Sequence, residues 1–296
     1  MRNLVGRLLT CFALLLVATS APALAALTEV GPVVAPGGYP QYYGDANGLR
    51  LQLCQDGDGV NGLCIFDPVN PANPESVALG VGDESFWWMA TAFINGDTVP
   101  DPQGLDAEVV LALEGAFGGI GVAKNGDQIA FGRIRIRIDT PVPGTYTVTH
   151  PFGVEVFENV PAGTKAINYT KDIGAINVLA PEAGFVGALR AQIGPFLTWP
   201  DYLNEASLQV AILDGEGNPT GQFHQYVGDP AVPHIVTGSI FTEPGEAAPA
   251  NYFRIRGPQG SNIDVRSDLF EVMGKDRKST RLNSSHSDRS RMPSSA

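Results

Sequence analysis

The residues best placed to do chemistry lie between two cysteines. In CQDGDGVNGLC, Cys54 and Cys64 bracket Asp56, Asp58 and Asn61, and Asp67 follows soon after. Calcium is a hard cation that takes about six to eight oxygens from carboxylates, amides and backbone carbonyls, and a Gly-spaced acidic loop can curl to supply them. The spacing therefore offers Asp56, Asp58, Asn61 and Asp67 as a calcium site, tied off by a Cys54–Cys64 disulfide. An even cysteine count in the mature part of an exported chain reads as one bridge. The plainer alternative is an acidic turn pinned by that disulfide.

The segment QDGDG is similar to the D-x-D-G opening of calcium loops in thrombospondin-type and EF-hand-like repeats. It departs from the EF-hand pattern at Val60, where a third Asp or Asn belongs, and no Glu closes the loop. Aromatic residues supply the second candidate. Trp87 and Trp88 are adjacent, so on a strand they face opposite sides, and Trp88 could present a stacking platform for a sugar. Trp199, between Pro195 and Pro200, is a comparable candidate. The alternative for both is burial in the core.

A third feature is the run Arg133, Arg135 and Arg137, which alternates with Ile134, Ile136 and Ile138. An arginine face could bind an acidic polymer. In so acidic a chain, pairing with carboxylates on neighbouring strands, such as Glu155 or Glu158, is the better reading. Enzyme signatures of the local kind are missing: there is no G-x-S-x-G, H-E-x-x-H, P-loop or dinucleotide fingerprint. His150, His224 and His234 show no ligand spacing. Paired carboxylates for glycoside chemistry need no local motif, so that class stays open.

These residues must be positioned by strands. The Ile/Arg alternation is the period-2 pattern of a strand with one apolar and one wet face. Thr140–Gly144 interrupts it, and Thr145–Thr149 resumes it, which predicts a β-hairpin over Gln128–His150. Leu49–Leu53, the doubly apolar Ser85–Ile94, Gly153–Val160 and Ala166–Thr170 are further strands. Ala107–Phe117 fits either period and is assigned as strand from its β neighbours. Asn177–Ala180, Ala188–Ile193, Ser207–Leu213, Val236–Phe241, Asn251–Arg256 and Asp268–Met273 make a second set, with a turn at Asp214–Pro219. With 35 glycines and 23 prolines, the composition favours short strands and tight turns.

The ends read differently from the middle. Arg2 and Arg7, the apolar run Leu8–Val17 and Ala23-Leu24-Ala25 form an export signal over residues 1–25, too short in its apolar part to span a bilayer. At the other end, Asp276–His286 back-translates to a common sequencing-library adapter. Residues 276–296 are therefore read as adapter read-through, with the native product continuing differently. Residues 26–275 then carry 12 basic and 29 acidic side chains, a net of −17. A surface that acidic repels nucleic acid and anionic lipid.

The phrase Pro143–Val148, PGTYTV, resembles the closing strands of immunoglobulin-like and prealbumin-like modules of bacterial surface proteins. The whole chain is similar to exported bacterial proteins built of β-sandwich modules in series, which implies architecture and no particular activity. The sequence thus predicts an all-β fold. An extended leading segment (26–48) precedes two β-sandwich-like (jelly-roll or immunoglobulin-like) modules, 49–174 and 175–275. The expected role is that of a secreted, periplasmic or cell-surface module, non-catalytic and structural, adhesive or ligand-binding, with calcium as a candidate stabiliser. Its partner would be an extracellular polysaccharide or a cell-surface protein. The rival is an extracellular carbohydrate-active protein, either a carbohydrate-binding region or a glycoside hydrolase. An outer-membrane barrel is disfavoured, because the strands are short and interrupted by Pro and Gly.

Overall fold

The Ile/Arg alternation lies within a 13-residue strand at the heart of an all-β fold. The computed structural model describes residues 26–57, 62–95, 104–174 and 181–277. The first strands are β1 (Leu27–Val30), β2 (Val33–Val34), β3 (Tyr39–Pro40), β4 (Tyr42–Asp45) and β5 (Arg50–Gln52). Four longer ones follow: β6 (Ser85–Ile94), β7 (Asp106–Phe117), β8 (Gln128–Thr140) and β9 (Gly144–His150). Then come β10 (Gly153–Val160), β11 (Gly163–Gly174), β12 (Gln209–Leu213), β13 (Pro219–Tyr226) and β14 (His234–Ile235). The last are β15 (Phe253–Arg256), β16 (Asp264–Ser267) and β17 (Leu269–Asp276), and two short helices, α1 (Pro74–Leu79) and α2 (Pro181–Gly187), complete the set.

A large antiparallel sheet runs β1-β4-β5-β17-β6-β7-β8-β11, with β13 and β14 also pairing β17 and β12 pairing β13. A smaller sheet runs β10-β9-β15-β16. It packs on the isoleucine face of the large one: Phe157 meets Tyr169 at 5.4 Å between ring centroids, and Phe152 meets Trp88 at 5.9 Å. Ile134, Ile136 and Ile138 are buried there, while the arginines between them remain partly exposed. The ambiguous segment Ala107–Phe117 lies in a strand, Asp106–Phe117, whose odd residues Val109, Leu111 and Leu113 share that buried face.

The expected hairpin over Gln128–His150 is not formed. β8 pairs β7 and β11, whereas β9 pairs β10 and β15 in the other sheet. The connection Thr140–Gly144 is an arch between layers. Pro141 and Pro143 carry no N–H for a ladder, and Gly144 takes φ 147° with Pro258 so close that a Cβ would lie 2.5 Å from its ring. The Tyr146 hydroxyl donates back to the Val142 carbonyl at 2.6 Å, bracing the arch. The hairpins that flank this arch are β7–β8, with Asp127 N–H donating to Lys124 C=O at 3.1 Å in the expected turn, and β9–β10.

Other expectations shift in the second half. Ala188–Ile193 is no strand: Ala188–Arg190 forms a 3-10 turn, and Ala191 presses into Gly132, where a Cβ would come within 2.3 Å of it. Of Val236–Phe241 only a Thr198–Thr237 bridge is sheet-like, next to β14, since Gly238 at φ 123° breaks the extended run. Asn177–Ala180 lies outside the described residues, as does residues 1–25. The sheets do not divide at 174/175. β17 inserts between β5 and β6, and β15 joins β9, so strands from both sides of that point share the two larger sheets, and β2-β3 forms a separate two-stranded sheet. The ladder continues through Asp276, and Arg277 N–H donates to Arg50 C=O at 2.8 Å. No helix among the described residues is long and apolar enough to cross a membrane.

Candidate functional site

The Cys54–Cys64 disulfide is formed, with Cα atoms 5.3 Å apart and both residues fully buried. It anchors the acidic segment beside the end of β17. Asp56 is held there: its Oδ2 accepts the Tyr226 hydroxyl at 2.5 Å and is in direct contact with Lys275 Nζ. Burial pushes the Asp56 carboxyl up, but Lys275, Tyr226 and His224 together outweigh it and keep it below the usual carboxylate range. Asp58 and Asn61 lie outside the described residues. Asp67 accepts the Glu84 N–H at 3.2 Å and belongs to a different wall, so Asp56 and Asp67 point to separate partners.

Two adjoining clefts open beside the disulfide. One of about 320 Å³ lies between the β2–β3 turn, β5 and the end of α1, and one of about 270 Å³ lies between the disulfide segment and Asp67–Val69. They share Gln55, Gly80 and Val81. Gly82 is obligatory in the wall, because a Cβ there would sit 2.1 Å from the Asp67 carbonyl oxygen. Among the described residues the first cleft carries amides (Gln41, Gln52, Gln55) among Pro36, Leu53 and Leu79, with no charged side chain, and Asp67 is the one acid of the second. Gln55 donates to Ser85 Oγ at 3.1 Å, and Gln41 accepts from Arg277 at 3.0 Å. In an acidic chain such a lining suits a neutral ligand with hydrogen-bonding groups and apolar faces.

The aromatic candidates sit elsewhere. Trp88 is wholly buried and donates its indole N–H to the Leu197 carbonyl at 3.1 Å, and Trp87 does the same to Pro40 at 3.1 Å. A bulge between Phe86 and Trp88 turns both rings into the core, so neither has a face for a sugar. Trp199 is 7% exposed and stacks on His234 at 4.2 Å, which covers its ring.

The arginine face is a charge ladder. Arg133 makes paired hydrogen bonds to Asp172 at 2.8 and 2.9 Å, and Arg137 Nη1 lies 3.5 Å from Glu108. The partners are thus on β7 and β11, the strands directly beside β8, and not Glu155, which instead faces Lys171 at 3.8 Å. Arg133 Nη1 also reaches Glu114, 3.2 Å from Oε1 with hydrogen-bond geometry and 2.9 Å from Oε2 without it. Glu114 is buried, and its pKa rises to about 7 because desolvation exceeds what Arg133 returns.

Sequence reasoning does not reach Glu243 or the buried role of His150. Glu243, 1% exposed, accepts Thr149 Oγ1 at 3.0 Å and Tyr252 OH at 2.7 Å, and contacts both Arg254 and Arg256. The signal was the NYFRIRG alternation, which echoes FGRIRIRI and likewise sets arginines on the outer face of a strand. His150 is fully buried with its pKa pressed down to about 3 by desolvation, assisted by Lys171, so its ring is neutral. Its Nδ1 accepts the Phe152 N–H at 3.3 Å and closes the β9–β10 turn. Comparison with protein-family models, curated proteins and solved structures gave no match for this chain.

Proposed function

We propose that the chain is an exported, non-catalytic β scaffold of the cell exterior whose ligand surface is the pair of clefts beside the Cys54–Cys64 disulfide. The carrying observation is a separation of roles. The buried Glu114 and Glu243 and the half-buried Asp56 each grip a lysine or arginine that ties strands together, while the first cleft is lined by amides, prolines and aliphatic groups. A disulfide in the same wall fits an oxidising compartment. The ligand class is neutral and rich in hydroxyl or amide groups, with neutral oligosaccharides as the first set to test. Titrating the full chain with a panel of them, beside a Gln52→Ala/Gln55→Ala variant, tests the reading. Binding that weakens at least about tenfold in the variant, a loss of roughly 1.4 kcal/mol, supports it. Binding that ignores the variant removes the clefts, and turnover of any member moves the protein to the glycoside-hydrolase class.

Calcium enters this reading only through Asp58 and Asn61, since Lys275 already neutralises Asp56 Oδ2. A rise in the thermal midpoint with calcium, reversed by chelator and lost on Asp58→Ala, would add the metal. An unchanged midpoint leaves Lys275 as the cation that Asp56 answers to.

A further inference from the structure

Open sheet edges invite pairing with another chain, and folded proteins blunt them with short strands, bulges or twist. Most edges here are blunted. β1 has four residues and a register shift at Leu27/Glu29, β12 shifts at Ala211/Leu213, β10 shifts at Phe157/Val160, and β16 has four residues. β11 is different. After an irregular start its pairing with β8 is regular from Ile167 to Gly174, and no strand among the described residues pairs its second edge. Asn168, Thr170 and Asp172 are exposed along it.

We propose that β11 is the pairing edge of a homodimer, in which two copies align antiparallel about Thr170 and fuse their large sheets. The sequence of the edge selects this register. A two-fold pair must keep each face continuous, so opposed residues must have numbers of the same parity. Centred on Thr170, Asn168 opposes Asp172, Tyr169 opposes Lys171 and Ile167 opposes Ile173. Polar then meets polar on the arginine face, and on the isoleucine face Ile167 meets Ile173 while the Lys171 stem lies beside the Tyr169 ring. Centring one residue later opposes Lys171 with itself, and one residue earlier sets Ile167 against Lys171. The first opposes like charges, which destabilises a strand pair, and the second sets an apolar side chain against a cation, so the Thr170 register is favoured. The contact is isologous, so it consumes the edge of both copies and closes at two instead of growing into a fibre.

Sedimentation velocity of the full chain across a concentration series tests this. A concentration-dependent dimer in the micromolar range is expected, as befits a small interface. Asn168 is exposed, so its replacement leaves the fold intact, which circular dichroism checks. Asn168→Lys places a cation opposite Asp172 twice per dimer and tightens association about fivefold, whereas Asn168→Asp weakens it by a similar factor. Both effects shrink in high salt. A monomer at every concentration, or a dimer whose dissociation constant is the same in both variants, overturns the proposal.

Discussion

Glu114 and Glu243 are both buried glutamates in contact with arginine, yet their carboxyls shift in opposite directions. On the large sheet, Glu114 shares Arg133 with Asp172, has one oxygen without a hydrogen bond, and rises to about 7. Beside the small sheet, burial also pushes Glu243 up, but the Tyr252 and Thr149 hydroxyls with Arg256 and Arg254 outweigh it and hold the carboxyl low. Burial sets the same penalty direction in both places. The number of donors aimed at the charge decides the sign.

The largest way to break this comparison is Glu243→Ala. It takes the carboxylate from Arg256 and from the Thr149 and Tyr252 hydroxyls, while Arg254 keeps Asp264 and Glu246, and should lower unfolding free energy by about 3 kcal/mol, read from denaturant melts at pH 7. An effect under about 1 kcal/mol would mean that solvent replaces the carboxylate freely.

Glu114 predicts a pH slope. Its folded pKa lies above the unfolded value near 4.5, so between those values the folded state holds a proton that the unfolded state has lost. Stability therefore falls as pH rises from about 4.5 through 7, by at most about 3 kcal/mol. Glu114→Gln should flatten that part of the curve. Glu243 works the other way: its contribution is present above the unfolded pKa and is lost as pH falls through its lowered folded value. A wild-type curve that is level from pH 5 to 8, matching the glutamine variant, would show Glu114 ionising normally.

The smallest effect sharpens the cause. Asp172 competes for Arg133 and also raises Glu114 by its own charge. Asp172→Asn should move the Glu114 midpoint downward with a stability change of about 1 kcal/mol or less. Titration of the Glu114 carboxyl by NMR would detect it, and an upward shift would contradict the assignment.

Local chemistry was legible where side chains alternate or cross-link. The Ile/Arg strand, the doubly apolar Ser85–Ile94 and the Cys54–Cys64 bridge all follow from period and composition. What period cannot encode is which strand lies alongside. Pro141 and Pro143 announce a break in the ladder, but an arch and a hairpin break it alike, and only the packing of Pro258 on Gly144 separates them. Lys275 and Asp56 are 219 positions apart, so nothing local links them. The sequence points to carboxylates on adjacent strands as partners of the arginine ladder, but names Glu155 and Glu158 where register selects Glu108, Glu114 and Asp172.

The position of β17 has a consequence in time. A chain made from its N-terminus has β5 and β6 long before it has the strand that sits between them. Until residues 269–276 arrive, both strands carry bare edges, and the sheet centre waits on contacts spanning more than 170 residues of sequence. Loop closure of that length is slow, and exposed strand edges meanwhile invite association. Completion of this fold is therefore a late event set by its last strand, and a chain that stops before Leu269 is expected to remain open and prone to aggregate.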